Sequence, residues 1–326
     1  MIKFQHVSKI YSNDLVAIDN ISFEIKKGET LVLLGTSGSG KTTTMRMINK
    51  LTAPTSGKIF IDGVDIKNID PIELRRQIGY AIQYIGLFNH MNVFENISIV
   101  PKLLKWNKEK INKRVDELLD LFGFDPSEYK HRFPRQLSGG EKQRIGVLRA
   151  IAADPPIILM DEPFGALDPI TREQVQNEFI ELESDIKKTV VFVTHDVFEA
   201  VKMADTIALM DKGKILQIAT PKKLVNNPKN DLVKQFLGRH KFQLSLMTTS
   251  IKELVIKKNN NQNHSLFEGK NNSLTLRSSI IEAMDLFKET KLSDIAIFDR
   301  KKIIGILQKQ DLLNSISNLL KEKEKV

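Results

Sequence analysis

Leu31-Val32-Leu33-Leu34-Gly35-Thr36-Ser37-Gly38-Ser39-Gly40-Lys41-Thr42-Thr43 decides the fold. An apolar run, a glycine-rich turn and a Lys-Thr pair opening a helical pattern give the order strand, loop, helix. The spacing G-x-x-x-x-G-K-[ST] in that context is a P-loop and points to an α/β fold. Gly35, Gly38 and Gly40 let the backbone curl so that successive N–H groups face phosphate oxygens, and the helix behind adds its positive end. Lys41 brings a point charge to the β- and γ-phosphates, and the Thr42 hydroxyl suits Mg²⁺. The loop residues Gly35, Thr36, Ser37, Gly38, Ser39, Gly40, Lys41, Thr42 and Thr43 are thereby expected to bind a nucleotide.

Bulk properties bound the rest. A length of 326 residues predicts two domains, and 41% apolar residues can build a large core. The net charge of +9 is scattered along the chain, which reads as a solvated basic surface and not as a nucleic-acid arm. The absence of cysteine excludes disulfides and thiolate metal sites. No apolar run approaches the ~20 residues of a membrane-spanning helix. Met1 to Val7 alternates like a strand and has no signal-peptide core. A cytoplasmic protein that meets a membrane only through partners is expected.

Working outward from the P-loop, Ile2–Val7 and Ala17–Ile25 read as strands, with Tyr11 between them. Tyr11 is either an ordinary half-buried aromatic or a platform on which adenine stacks. Lys58–Gly63 is a strand ending in a turn, Pro71 opens a short helix, and Ile78–Gln83 is a strand ending on Gln83. From Asn92 to Phe124 the pattern is mostly helical. Ser138 is placed to cap a helix that starts at the paired glycines Gly139 and Gly140 and runs through Ala153. By itself such a start reads as a capped helix without a ligand, although it is also an anion site in waiting.

Ile157-Ile158-Leu159-Met160-Asp161-Glu162 is a continuous apolar run closed by two acids, the mark of a strand buried on both faces. Open α/β sheets place their ligands at such carboxyl ends. Asp161 suits Mg²⁺, directly or through water, and Glu162 suits a general base. Val190-Val191-Phe192-Val193-Thr194-His195 repeats the design and sets His195 to reach a γ-phosphate. Ile207–Met210 and Lys214–Gln217 form a hairpin through Asp211-Lys212-Gly213.

Tyr11, Gly35 to Thr42, Gln83, Leu137-Ser138-Gly139-Gly140-Glu141-Lys142-Gln143-Arg144, Asp161-Glu162, Ala166-Leu167-Asp168 and His195 stand in order along residues 1–240. The set resembles the nucleotide-binding subunit of ATP-binding cassette (ABC) transporters. That resemblance implies a RecA-like core with antiparallel β and helical subdomains. It implies ATP and Mg²⁺, with Tyr11 on adenine, Thr42 and Gln83 at Mg²⁺ with Asp161 behind them, Glu162 as base and His195 on the γ-phosphate. It also implies a homodimer in which Ser138, Gly139 and Gly140 complete the partner's ATP site and Asp168 crosses to couple the two sites. The segment Ile78 to Val93 is similar to importers of quaternary-amine osmoprotectants (glycine betaine, choline, carnitine, proline betaine), with Tyr84 and Asn89 departing from the usual glutamine and proline. A transporter ATPase of this kind is expected at the cytoplasmic face of the inner membrane. Its partners would be transmembrane permease subunits and a periplasmic or surface substrate-binding protein, and no nucleic acid is expected.

Residues 241–272 turn polar and asparagine-rich and read as a linker. Residues 273–326 read as β-α-β-β-α, which resembles one cystathionine-β-synthase-type (CBS) repeat pairing across the dimer. Nucleotide-binding repeats carry Thr or Ser a few residues before the aspartate, whereas Gln308, Lys309 and Gln310 precede Asp311 here. The repeat is thus read as a dimerisation module or a degenerate nucleotide site. Two rival functions are an importer ATPase for another solute, such as an amino acid or polyamine, and a soluble ABC ATPase acting on nucleic acid or ribosomes. The second needs two cassettes or a long insertion between Gly35 and Leu137, and the chain has neither.

Overall fold

The computed structural model describes residues 1–12, 14–82, 86–165, 167–186, 188–257, 274–276, 278–299 and 302–324. They belong to two compact units, Met1–Ile218 and Ala219–Val326.

The first unit opens with an antiparallel sheet. β1 (Ile2–Ile10) pairs with β2 (Val16–Ile25), Ile2 facing Ile25 and the Phe4 ring stacked on Phe23 at 4.4 Å. β3 (Thr30–Gly35) is buried along its whole length and runs into α1 (Lys41–Ile48). β4 (Ser56–Ile61) and β5 (Val64–Asp65) return to the first sheet, giving the order β2-β1-β4-β5. α2 (Pro71–Arg76) and β6 (Ile78–Ala81) lead back to the second sheet.

The helical stretch expected from Asn92 to Phe124 is two helices, α3 (Val93–Leu103) and α4 (Lys108–Leu121). The break falls where Lys105 takes a left-handed φ of 58° and Asn107 caps α4 by accepting from Lys110 N–H at 2.7 Å. α5 (Pro126–Tyr129) and α6 (Gly139–Ile151) complete this helical part, the second ending two residues short of the expected Ala153.

The chain then alternates through β7 (Ile157–Asp161), α7 (Pro169–Ile186), β8 (Thr189–Thr194), α8 (Val197–Met203), β9 (Thr206–Asp211) and β10 (Lys214–Ala219). The second sheet has the order β10-β9-β3-β8-β7-β6, with β9, β3, β8, β7 and β6 parallel. β8 therefore lies between β3 and β7, and the carboxyl ends carrying Gly35, Thr194 and Asp161 emerge side by side. One core joins the sheets, with Phe4, Ile25, Leu31, Leu33, Met45, Leu159, Val191 and Val193 all at or below 1% exposure. Each such side chain contributes about 1.5–3 kcal/mol by leaving water, so the frame under the P-loop is stiff.

The second unit contains α9 (Pro221–Asn226), α10 (Asp231–Leu237), α11 (Lys241–Thr248), β11 (Ile256–Lys257) and β12 (Leu274–Thr275). It continues with α12 (Ile280–Thr290), β13 (Asp294–Asp299), β14 (Lys302–Gln308) and α13 (Lys309–Glu324). Its sheet has the order β11-β14-β13-β12, around a core that includes Leu246, Ile251, Phe287, Ile297 and Leu307.

The linker expected over 241–272 is different in its first part. Lys241–Thr248 is helical, Leu244 and Leu246 are buried, and β11 pairs with β14 through Ile256 opposite Ile306. Apolar side chains at 242, 246 and 251 recruit this segment to the core of the second unit. Residues 258–273 of that expected linker lie outside the described residues. The division after Ile218 also falls before the expected domain end at residue 240, because α9 and α10 belong to the second unit.

Candidate active site

The P-loop leaves β3 at Gly35 and enters α1 through Gly40, whose φ of 101° sits in the left-handed region. A Cβ at Gly40 would come within 2.6 Å of the Ala17 carbonyl oxygen, so the loop approaches β2 more closely than a side chain permits. At Gly38 (φ 77°) a Cβ would meet nothing within 4 Å, and the crest of the loop faces open space. No side chain caps α1 and no acidic residue stands in its first turn. By contrast α2, α3, α4, α6 and α8 are capped by Asp70, Asn92, Asn107, Ser138 and Asp196. The first N–H groups of α1 are thus left without a side-chain partner at the positive end of its dipole, an arrangement suited to phosphate.

Lys41 is buried and curls back over the loop, its Nζ donating to Gly35 O and Thr36 O at 2.8 Å each. Burial lowers its pKa, and the nearby carboxylates of Glu162 and Asp161 oppose that shift. Thr36 and Ser37 are exposed, Thr42 and Thr43 half-buried. Ser39 is 1% exposed and its Oγ has no hydrogen-bond partner.

The strand ends supply the acids. Asp161 is 2% exposed and accepts from the Thr42 hydroxyl at 3.0 Å. Burial raises its pKa above the usual carboxylate range, while the Thr42 bond and the charges of Arg46 and Lys41 pull it back. Glu162 takes a left-handed φ of 48°. It is held there by its own N–H donating to Val193 O at 3.0 Å and by donors to its carbonyl from Gln143 Nε2 and Gly165 N, both at 3.2 Å. A non-glycine residue in that region costs on the order of 1–3 kcal/mol and persists only when its surroundings over-determine it. The result is a carboxylate whose Oε1 lies 3.2 Å from His195 Nδ1. Lys41, Thr42, Asp161, Glu162 and His195 are therefore one cluster, with a buried metal-compatible oxygen pair at its base and a carboxylate–imidazole pair at its rim.

The other sequence-expected residues are placed as follows, as far as they are described. Tyr11, just past β1, is 39% exposed, with Lys9 Nζ 5.0 Å from its ring centroid. Gln83 lies outside the described residues. Ser138 caps α6 with a reciprocal box: its Oγ accepts from Glu141 N at 3.2 Å and the Glu141 carboxylate accepts from Ser138 N at 2.7 Å. A Cβ at Gly139 would meet nothing within 4 Å, and one at Gly140 only the Leu167 side chain at 3.0 Å. Asp168 is exposed and accepts from Thr171 N at 3.1 Å; hydrogen bonding to the Thr171 side chain first, and to its backbone second, lowers its pKa. The contacts named for Ser138, Gly140 and Asp168 are to Glu141, Leu167 and Thr171. Gln143 is the residue sequence reasoning missed at the cluster itself: nothing in its spacing marks a buried amide gripping the Glu162 carbonyl.

Residues 18–165 match the ABC transporter family. The chain is 46% identical over 304 residues to the glycine betaine/carnitine/choline transport ATP-binding protein OpuCA of Bacillus subtilis, an overlap of 93% of this chain and 77% of that protein. The chain belongs to the ABC transporter family. This ABC cassette is also 42% identical over 315 residues to the glycine betaine uptake system ATP-binding protein YehX of Escherichia coli, covering 96% and 99% of the two chains. A dimeric ATP-binding cassette solved in a post-hydrolysis state with ADP and Pi matches it with a TM-score of 0.62 at 34% identity, over 68% of this chain and 98% of that one. The chain is an ATPase by family. Among its described residues no helix is long and apolar enough to cross a membrane.

Proposed function

We propose that this ATPase powers an importer of quaternary-amine osmoprotectants, working as a homodimer docked on permease subunits at the inner face of the cell membrane, with a substrate-binding protein delivering the solute. The relatives that cover most of the chain support the cargo: they are named for glycine betaine, carnitine and choline transport. The observation that carries the dimer is that the chain has two open glycine faces, at Gly38 and at Gly139, with no described hydrogen bond between them. In a two-fold pair each would cover the other's nucleotide.

In this reading the α1 amides and Lys41 hold the β- and γ-phosphates, and Tyr11 stacks on adenine. Lys41 exchanges its two backbone carbonyls for phosphate oxygens, so its depressed pKa is relieved by the incoming charge. Thr42 and Asp161 fit Mg²⁺: both offer hard oxygen, they stand 3.0 Å apart, and the carboxylate is buried where an uncompensated charge is costly. The described residues contain no set of three or more His, Asp or Glu able to hold a metal alone, as expected where phosphates and water complete the shell. Mg²⁺ with Gln83 beside it would neutralise charge developing on the β- and γ-oxygens.

Glu162 takes the proton of a water whose oxygen attacks the γ-phosphorus as the bond to the β-phosphate oxygen breaks, leaving ADP and phosphate. His195, with Nδ1 against Glu162 Oε1, presents its other nitrogen outward to the γ-phosphate. Ser138, Gly139 and Gly140 contribute donors to the partner's ATP, and Asp168, at the start of α7, relays one site to the other. Residues 273–326 act as a single CBS-like repeat that pairs between copies. Co-expression with its permease and binding protein, followed by uptake of labelled glycine betaine, choline and carnitine, tests the proposal. Uptake that survives Glu162→Gln, or that ignores all three solutes, would refute it.

A further inference from the structure

The capping box at the start of α6 has a third member. Glu141 Oε2 accepts from Ser138 N at 2.7 Å, and Oε1 accepts from the Tyr129 hydroxyl at 2.6 Å. Each carboxylate oxygen thus has one task, and the glutamate is fixed from two directions. Two-member boxes elsewhere in the chain, Asn92 with Glu95 and Ser279 with Glu282, close a helix end without a phenol.

Tyr129 is itself firmly seated. It ends α5, a single turn opened by Pro126 and capped by Asp125. The Arg132 guanidinium lies over its ring at 4.1 Å and the Phe124 ring packs at 4.7 Å. The carbonyls of Lys130 and Arg132, just beyond it, accept from Phe94 N and Val93 N at the start of α3. The phenol therefore stands on a platform tied to two helices, α5 and α3, and it points that rigidity at one carboxylate.

Ser138 is exposed, and its Oγ is already accepting from Glu141 N at 3.2 Å. Its O–H is left to donate outward, over the open face at Gly139. The direction of that hydrogen follows from where Glu141 N and the Ser138 backbone are held.

We infer that Tyr129 is a positioning residue for Ser138, acting through the Glu141 carboxylate to aim the serine hydroxyl at the nucleotide of the partner subunit. The inference rests on the dimer reading above. Because Ser138 serves only the other copy's ATP, loss of the phenol leaves nucleotide binding by a single subunit intact and weakens the paired, hydrolysing state. Charge-assisted hydrogen bonds of this kind, at a half-exposed site, translate into a roughly three- to tenfold fall in rate.

The test uses the full chain and four variants: Tyr129→Phe, Glu141→Ala, the two combined, and Ser138→Ala. ADP affinity is measured by calorimetry, and ATP hydrolysis as kcat and KM. Tyr129→Phe keeps the ring under Arg132 and beside Phe124, so the fold is preserved. The expected result is unchanged ADP affinity with kcat down about three- to tenfold, and no further loss when Tyr129→Phe is added to Glu141→Ala. Losses that multiply in the double variant, or a native kcat for Tyr129→Phe while Ser138→Ala collapses, would overturn the inference alone. Native hydrolysis by Ser138→Ala would overturn the dimer reading and the inference with it.

Discussion

Replacing Gly40 by alanine isolates what the P-loop backbone demands. At φ 101° an L-residue lies outside its allowed wells, a cost of on the order of 1–3 kcal/mol. The new Cβ would also sit 2.6 Å from Ala17 O and 2.6 Å from the Ile18 Cδ1 methyl. The methyl can rotate away, but the Ala17 carbonyl is backbone and cannot, the next strand bond after it being Asp19 N to Gly213 O at 2.9 Å. Overpacking adds about 1–3 kcal/mol, for a total near 2–6 kcal/mol. Gly38→Ala is the control, since its φ of 77° carries backbone strain and its Cβ meets nothing. It should cost about 1–2 kcal/mol. Urea unfolding followed by the fluorescence of Trp106, the sole tryptophan of the chain and part of the first unit, reads both. Gly40→Ala should be the less stable by at least about 1 kcal/mol. Equal stabilities would refute the close approach of the loop to β2.

Further outcomes follow from the same geometry. Glu162→Gln should lower ATP hydrolysis by about 10²–10⁴-fold with ATP affinity kept, measured by phosphate release and calorimetry; a loss of both together would mean the glutamate holds nucleotide and not the proton. Asp161 has a folded pKa raised by burial, so its contribution to ligand-free stability is full below the unfolded pKa near 4 and is lost as pH rises through the folded value. Asp161→Asn keeps an acceptor for Thr42, so its stability relative to the native chain should improve as pH rises across that window in chemical-denaturation curves, and a flat or falling difference would contradict it. Phe287→Ala, at a 3% exposed site in the second core, should destabilise that unit by about 3–5 kcal/mol while ADP affinity stays native.

The nucleotide cluster was legible because its parts are local. Gly35 to Thr43 carries its own turn and helix start, and the continuous apolar runs ending at Asp161 and Thr194 announce strands buried on both faces. What brings those ends together is the order β3-β8-β7, set by long crossovers that leave no periodic mark in the sequence. Ser138 as a helix cap was readable from Ser-Gly-Gly; Tyr129 against Glu141 was not, because a phenol twelve residues upstream in a short turn has no pattern. Gln143 escaped for the same reason, its partner being a carbonyl at the end of another strand. The segment 241–257 was misread as linker because its average polarity hides Phe242 and Leu246, one turn apart on α11, and Ile251, an apolar set too short to stand out.

The shared nucleotide pocket is tested most directly by mixing two disabled chains, one carrying Lys41→Ala and the other Ser138→Ala. Each alone should be nearly inactive. Mixed in equal amounts, half the pairs would join an intact Lys41 to an intact Ser138, restoring hydrolysis to as much as about a quarter of the native rate. A mixture no more active than the separate variants would contradict the account.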